Sequence, residues 1–134
     1  MRVVLTFLLL TAAAPARAEW VKVESANSGF FSLRDDIVYY IDPSTITIEG
    51  NLRRVWEIHD LSDKGSQGER SVLASVEYDC AAKRMRTLKA TGKSQRMARG
   101  EIIPLRGIQD DWIVLRPGKE DEMFFRVLAA VCAP

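Results

Sequence analysis

Histidine is the residue type that most nucleophilic enzymes need beside their nucleophile, and this chain has only His59. His59 falls in a stretch of alternating residues, on the side shared with Arg53 and Glu57 and opposite Trp56 and Ile58. This placement predicts a single histidine on the surface of a strand. A small enzyme is the alternative interpretation, and it would require a deep polar pocket around His59.

Other arrangements that support catalysis or metal binding are weak or missing in the sequence. Asp35-Asp36 and Asp110-Asp111 are adjacent acids, but successive strand residues point to opposite faces, so neither pair forms an obvious acid–base dyad. We expect both pairs to be solvated in loops. The sequence has no cluster with metal-ligand spacing and no glycine-rich phosphate loop. It therefore predicts a protein that is not an enzyme, with no catalytic residue, no cofactor and no metal.

The first 18 residues differ in character from the rest of the chain. Arg2 gives a positive start, residues 3–14 are apolar apart from two threonines, and Ala16-Arg17-Ala18 fits a signal peptidase site. A membrane anchor, the alternative, would need about 20 apolar residues. We therefore expect a cleaved signal peptide over residues 1–18 and a mature domain over residues 19–134. Because no cysteine lies near the cleavage site, we expect a soluble periplasmic protein without a lipid anchor, with the cell surface or the medium as further destinations.

Size and composition fit one globular domain. The chain has 134 residues, of which 47% are hydrophobic and 28% charged, and single domains commonly run to about 100–150 residues. The formal net charge is only +1, which argues against a nucleic-acid binder. The expected mature domain contains no hydrophobic run long enough to cross a bilayer. We therefore expect neither nucleic-acid binding nor a transmembrane segment, and the oligomeric state stays open.

Cys80 and Cys132 are the two cysteines of the chain. An even count in an exported chain favours a disulfide over two free thiols. Metal ligands usually come in closely spaced clusters and redox pairs usually take the form Cys-x-x-Cys, whereas these two cysteines lie far apart with no histidine nearby. The sequence therefore predicts one structural disulfide between Cys80 and Cys132.

Alternation of apolar and polar residues predicts an antiparallel sheet over most of the expected mature chain. The elements expected in the first hairpin are a strand at 37–41, a turn at Asp42-Pro43-Ser44, a short strand at 45–49, a turn at Gly50-Asn51 and a strand at Leu52–Leu61. Ile46, Ile48, Trp56 and Ile58 are expected to share the apolar side of this hairpin.

The strand that begins at Ser71 is expected to continue into a second hairpin through a two-residue connection at Ala81-Ala82. The cross-strand pairs that this connection predicts are Asp79 with Arg84, Glu77 with Arg86, and Tyr78 with Met85. Opposite charges directly across a ladder support the register by a few tenths of a kcal/mol each. Ala-Ala is a poor two-residue turn, however, because such turns prefer residues with positive φ.

Helical spacing replaces strand alternation near the C-terminus. Pro117-Gly118 precedes the acids at 120–122, where the free N–H groups of a first helical turn favour negative charge. The apolar positions at helical spacing are Phe124, Val127, Leu128 and Val131. Cys132 falls on the same stripe and Cys80 ends the buried face of a strand, so the disulfide would hold the helix across the sheet. The predicted fold is α+β, an antiparallel β-sheet with a C-terminal α-helix packed on it and held by one disulfide.

Basic residues are concentrated in residues 83–106, which hold eight lysines and arginines against the single acid Glu101. The candidate residues for an anion-binding patch are Arg84, Arg86, Lys89, Lys93, Arg96 and Arg99. Such a patch would suit an anionic glycan, lipid head groups of the envelope, or an acidic protein surface.

The same basic residues have a second interpretation, which we favour. In it the hairpin is simply solvated, and its arginines pair with Glu77 and Asp79. Lys89, Lys93 and Arg96 have no predicted acidic partner, so they are the residues on which the two interpretations differ most.

A series of short motifs follows in order along the expected mature chain. They are Trp20, the segment Tyr40–Ile46, Arg54-Val55-Trp56, Glu77-Tyr78-Asp79-Cys80, Trp112, Pro117-Gly118 and Cys132. The order of the Asp-Pro-Ser turn, the Tyr-Asp-Cys strand end and a late cysteine is the specific part of the series. Together the motifs resemble the surface-adhesin protein E family of proteobacteria.

The resemblance implies a small α+β domain in the bacterial envelope. The namesake of the family is an adhesin that binds host extracellular-matrix and plasma proteins, so the resemblance implies a binding domain for a host matrix protein or another anionic partner. A periplasmic envelope protein with a structural or stress role is the alternative function, and a small periplasmic enzyme is the third. The namesake is lipid-anchored, whereas no cysteine follows the expected signal peptide here. The matching motifs are scaffold residues, so no ligand-contacting residue is carried over.

Overall fold

The computed structural model describes residues 18–23, 37–116, 118 and 121–133. Its elements are the strands β1 (Val21–Lys22), β2 (Ile37–Glu49), β3 (Leu52–Leu61), β4 (Ser71–Asp79), β5 (Arg84–Lys93), β6 (Ile102–Ile103) and β7 (Ile113–Val114), and the helix α1 (Glu122–Cys132). The expected signal peptide lies outside the described residues except for Ala18. Asp35-Asp36, Pro117 and residues 119–120 also lie outside them.

Every strand pairing in the sheet is antiparallel, and neighbours in space are mostly neighbours in sequence. Strands β1 to β5 follow one another across the sheet, and the short strands β6 and β7 both pair with the outer side of β5, at its two ends. The middle of β5 is therefore the part of that edge with no neighbouring strand among the described residues.

One face of the sheet is covered by α1, and the main core lies between them; we call it the helix face. The core residues contributed by β2, β3 and β4 are Tyr39, Ile41, Val55, Ala74, Val76 and Tyr78, and those contributed by α1 are Val127, Leu128 and Val131. This arrangement confirms the predicted α+β fold and the apolar stripe of the helix. Burying an apolar stripe against a sheet face is what gives an 11-residue helix most of its stability.

The disulfide between Cys80 and Cys132 is present, with an S–S distance of 2.05 Å and a Cα–Cα distance of 5.8 Å. It joins the residue that follows β4 to the last residue of α1. The prediction that a disulfide holds the helix across the sheet is therefore confirmed.

The prediction that Asp42-Pro43-Ser44 ends a strand is wrong, because β2 runs on to Glu49 through an irregularity between Asp42 and Thr47. The Asp42 carboxylate accepts hydrogen bonds from the Ser44 amide (3.0 Å) and hydroxyl (2.6 Å). The Thr45 hydroxyl donates to the Asp42 carbonyl (2.7 Å) and accepts from the Trp56 amide (3.0 Å). These bonds satisfy the backbone where the ladder is interrupted, so pairing resumes instead of ending.

The predicted side for Trp56 and Ile58 is also wrong. Val55 pairs opposite Val76 of the core, so the helix face takes the odd-numbered positions of β3, and Trp56 and Ile58 lie on the other side. Ile48 pairs opposite Arg53 and so does not share a side with them. The cause is the register of the Gly50-Asn51 turn, which places Ile48 opposite Arg53 and Glu49 opposite Leu52, so that even-numbered positions at this end of β2 share a face with odd-numbered positions of β3. Ile58 is nonetheless fully buried, whereas Trp56 is half-buried.

The predicted register of the second hairpin is confirmed. Asp79 lies opposite Arg84, Glu77 opposite Arg86, and Tyr78 opposite Met85. The connection between β4 and β5 consists of residues 80–83 and is therefore longer than the predicted two residues. The Asp79 carboxylate accepts hydrogen bonds from the Ala81 and Ala82 amides at 3.1 and 2.9 Å, and Lys83 alone in the connection has positive φ. This side-chain cap explains how a turn without glycine or asparagine is stabilised.

Candidate functional site

The sheet face opposite α1, which we call the polar face, carries a cluster of arginines and carboxylates on β3, β4 and β5. The members of this arginine–carboxylate cluster are Arg54, Glu77, Asp79, Arg84 and Arg86. Because paired residues on neighbouring strands share a face, the register of β3, β4 and β5 places all five side chains side by side.

Ion pairs inside the cluster join its three arginines to two carboxylates, which leaves a net charge of +1. Glu77 receives Arg54 Nη2 at 3.3 Å on one oxygen and Arg86 Nη2 at 2.7 Å on the other. Arg84 Nε donates to Asp79 at 3.1 Å. The hydrogen bond from the Ala82 amide and the charge and hydrogen bond of Arg84 lower the pKa of Asp79. The predicted pairing of the arginines with Glu77 and Asp79 is therefore what the structure contains.

Trp112 lies over the same cluster. Its ring is 4.3 Å from Arg84 Cζ and 4.5 Å from Arg86 Cζ, within the range of cation–π contacts. Trp112 directly precedes β7, which pairs with Arg84 and Met85, and this pairing brings the ring to the edge of the polar face. No sequence pattern predicted this contact, because it depends on β7 returning to β5.

A bulge in β5 places two further cations on the polar face. Thr87 lies opposite Val76 and Lys89 opposite Ser75, so one extra residue, Leu88, is inserted between them. With strict alternation Lys89 and Lys93 would point to the helix face; the extra residue moves both to the side of Arg84 and Arg86. Lys89 is exposed, Lys93 is half-buried, and neither forms an ion pair with another described residue.

Arg96 does have an acidic partner, contrary to the prediction. Its Nε and Nη2 atoms donate to Asp60 Oδ2 at 3.0 and 2.7 Å, and the Asp60 carboxylate raises the pKa of Arg96. The other Asp60 oxygen accepts from the Met97 amide at 2.8 Å, where Met97 and Ala98 both have positive φ. Asp60 lies on β3, far from Arg96 in sequence, so no local charge pattern predicts the pair.

The six candidate residues of the basic stretch therefore form two groups. Arg84, Arg86 and Arg96 are held by carboxylates of the sheet. Lys89, Lys93 and Arg99, which we call the unpaired cations, form no ion pair with any other residue in the described part of the chain. Only the second group offers charge that is not already neutralised within the protein.

His59 lies on the helix face and is half-buried, so its prediction as a surface histidine is wrong. Its Nε2 is 2.9 Å from Glu57 Oε1, and its ring lies 4.4 Å from the ring of Tyr39. The Tyr78 hydroxyl donates to the other oxygen of Glu57, which is buried. Burial and the nearby Glu57 charge raise the pKa of Tyr78 well above its usual value. Tyr78 therefore stays a neutral donor, and the three side chains form one hydrogen-bonded group within the core.

The enzyme interpretation depends on the cavities and metal-ligating groups of the described residues. A depression beside the arginine–carboxylate cluster has a volume of about 120 Å³, below the roughly 300–1,000 Å³ typical of small-molecule sites. It is lined by Thr47, Ile48, Glu49, Leu52, Arg54 and Glu77. In the described part of the chain no group of three His, Cys, Asp or Glu side chains is placed to hold a metal. None of the helices described there is long and apolar enough to cross a membrane.

Comparisons with known proteins give one family match and several similar folds. The family model described as Surface-adhesin protein E matches residues 20–133. No curated protein is significantly similar in sequence. The structure is similar to crystal form II of Haemophilus influenzae protein E, with a TM-score of 0.59 and 15% identity over 76% of this chain and 91% of that chain. It is also similar to protein E from non-typeable Haemophilus influenzae, with a TM-score of 0.52 and 17% identity over 87% of this chain and 97% of that chain. At these identities the structural similarity shows the fold alone.

Proposed function

The chain belongs to the surface-adhesin protein E family, and from that membership we propose that it is an exported envelope protein that binds a polyanionic partner through the polar face. Residues 1–18 act in this proposal as the signal peptide that directs export. The partner is an anionic glycan or an acidic protein of the host extracellular matrix, which are the partners that suit an adhesin with exposed cations.

One observation carries the proposal. The bulge at Leu88 turns Lys89 and Lys93 toward the polar face, where neither has a carboxylate partner among the described residues. The arginines beside them are paired with Glu77 and Asp79, so they hold the face in place but contribute little net charge. Binding is therefore expected to depend on the unpaired cations more than on Arg84 and Arg86.

Retention on immobilised heparin tests the proposal. The mature protein should be retained at low salt and released near about 0.5 M salt, where exposed charges are strongly screened. Lys89→Ala combined with Lys93→Ala should weaken retention without a change in melting temperature. The matched control is Lys22→Ala combined with Lys64→Ala, which removes the same charge from exposed positions outside the basic stretch. No retention of the wild type, or equal losses in the two variants, would refute the proposal.

A periplasmic envelope role is the second candidate function. It is supported by the internal pairing of Arg84, Arg86 and Arg96, because a face that neutralises half of its cations needs no external anion. Labelling intact producing cells with a membrane-impermeant reagent separates the two functions. Labelled protein would favour the adhesin, and protein labelled only after the outer membrane is opened would favour the periplasmic role.

A further inference from the structure

The β5–β6 connection, residues 94–101, has a strained backbone. Met97 and Ala98 have φ values of 58° and 56°, in the left-handed region that residues other than glycine rarely adopt. Two such residues in succession are less common still, because left-handed residues usually occur singly. A strained backbone persists only where the surrounding structure fixes it, and such residues are concentrated at functional sites. The contacts that fix Met97 and Ala98 are therefore a guide to the role of the connection.

Two buried side chains of the sheet fix this conformation. The Ser71 hydroxyl donates to the Gln95 carbonyl at 2.6 Å and accepts from the Ala98 amide at 2.9 Å, and Ser71 is fully buried. The Asp60 carboxylate, which is also buried, accepts from the Met97 amide at 2.8 Å. Each of the two strained residues thus donates its amide to a side chain of β3 or β4.

Both side chains belong to the polar face, so the connection crosses one end of that face. Asp60 and Ser71 lie opposite each other on β3 and β4, and Ser71 also lies opposite Lys93 of β5. Ser94 closes the base of the connection, because its amide donates to the Glu101 carbonyl at 2.9 Å and its hydroxyl accepts from the Glu101 amide at 2.8 Å. These contacts hold the connection next to Lys93.

Arg99 is the unpaired cation of the connection. Its carbonyl accepts from the Gln95 amide at 3.1 Å and its amide donates to the Arg96 carbonyl at 3.3 Å, so its backbone is fixed while its side chain is exposed. Gln95 lies two residues after Lys93 in the sequence. Two of the unpaired cations, Lys93 and Arg99, therefore belong to the same end of the polar face.

The charge at this end of the polar face is positive. Lys93 and Arg99 are unpaired, and Glu101 is the exposed acid that opposes them. The ion pair that Arg96 forms with β3 is neutral, and residues 62–70, which join β3 to β4, contain two acids and two bases. Two cations against one acid leave a positive surplus, which favours an anionic partner.

We propose that Ser71 and Asp60 are positioning residues of the binding surface. They hold the β5–β6 connection in its strained conformation, so that Arg99 is added to the cations Lys89 and Lys93. The inference rests on the proposed binding of a polyanion by the polar face, and it assigns a role in that binding to two buried residues that do not contact the partner. Cations on a fixed backbone lose less conformational freedom on binding than cations on a flexible loop.

Retention on immobilised heparin, measured at a series of salt concentrations, tests the inference through a double-mutant cycle. Arg99→Gln should reduce the slope of log retention against log salt by about one, because one cation fewer contacts the polyanion. Ser71→Ala should weaken retention by no more than Arg99→Gln does, and it should cause no further loss in the Arg99→Gln background. The melting temperature should fall equally in both backgrounds, because the buried hydrogen bonds of Ser71 are lost in each.

The matched control is Ser75→Ala. Ser75 is a buried serine on the same strand and the same face as Ser71, and its side chain forms no hydrogen bond with another residue in the described ranges. Ser75→Ala therefore removes the same hydroxyl group without releasing the β5–β6 connection. It should leave heparin retention unchanged.

Variants of the connection itself test the inference without altering the sheet. Ala98→Val should weaken retention about as much as Arg99→Gln does, because a β-branched residue is strongly disfavoured at positive φ. Ala98→Gly should weaken retention less, because glycine adopts positive φ readily. Ala98 lies outside the strands, so this comparison decides the question even if Ser71→Ala proves unstable.

The possible outcomes separate the inference from the proposed function. If the wild type is retained but the losses from Ser71→Ala and Arg99→Gln are additive, the inference is overturned and the proposed function stands. Equal retention of Ala98→Val and Ala98→Gly, or an Arg99→Gln variant that is retained like the wild type, would also overturn the inference alone. A wild type that is not retained at low salt would overturn both.

Discussion

The two faces of the sheet are stabilised by different physical means. The helix face is apolar, is covered by α1 and is tied to the helix by the Cys80–Cys132 disulfide. The polar face is organised by carboxylates that each hold one or two arginines, with Trp112 lying across two of them. These ion pairs each join a buried carboxylate to a partly exposed arginine, and they contribute less to stability than the buried apolar area of the helix face.

This difference separates folding from binding in the molecule. Substitutions on the helix face remove buried area or covalent restraint, so they should lower the free energy of unfolding. Lys89 and Lys93 form no ion pair with a buried side chain among the described residues, so their substitution should alter binding alone. The three predictions below test whether the faces are as distinct as their contacts indicate.

The largest effect is expected from the disulfide. Cys80→Ala combined with Cys132→Ala should lower the free energy of unfolding by about 2–5 kcal/mol, because the reduced chain gains conformational freedom only when unfolded. Urea titration with and without reductant measures the effect, and the double variant should no longer respond to reductant. For comparison, Lys89→Ala combined with Lys93→Ala should change the same free energy by no more than about 0.5 kcal/mol. Similar losses in the two double variants would contradict the distinction between the faces.

A smaller effect is expected from the polar group within the helix face. Tyr78→Phe removes the donor to the buried carboxylate of Glu57 and should cost about 1–3 kcal/mol. Tyr40→Phe is the control, because Tyr40 makes no hydrogen bond through its side chain to another described residue and lies on the polar face opposite Ile58. Thermal melts of the two variants at pH 7 measure the difference. Equal melting temperatures would mean that the Tyr78–Glu57 bond contributes nothing.

Much of the fold could be predicted from the sequence because its signals are local. The alternation after Ser71 and the spacing of Phe124, Val127, Leu128 and Val131 each reflect burial of one side of one element. The register of Asp79 opposite Arg84 followed from opposite charges flanking a short connection. Family membership was also visible as an ordered series of short motifs.

The parts that could not be predicted depend on irregular strands and on contacts between distant residues. The irregularity in β2 and the bulge at Leu88 change which residues share a face. Pro43 marks the first of them but predicts a turn that ends the strand, and no glycine or proline marks the second. Arg96 and Asp60 meet only because the β5–β6 connection folds back toward β3. His59 shares a side with Arg53 and Glu57, as predicted, but that side faces the helix, because Glu57 is satisfied inside the core by Tyr78. Sequence patterning assigns such a carboxylate to the surface.

The smallest effect is expected from Asp79 on the polar face, and it should appear only in acid. Because the Ala82 amide and Arg84 lower its pKa, Asp79 stabilises the folded protein above the unfolded-state pKa of about 3.9, and this contribution is lost as pH falls through the lower folded-state pKa. Asp79→Asn keeps an oxygen that can accept from the Ala81 and Ala82 amides but has no charge to lose. Melting temperatures measured from pH 7 to pH 2 should therefore fall less steeply below pH 4 in the variant than in the wild type. Parallel curves would show that the charge of Asp79 contributes nothing and that its carboxylate acts only through the hydrogen bonds from the Ala81 and Ala82 amides. Asp79 would then resemble Tyr78 of the helix face, which acts as a neutral hydrogen-bonding group.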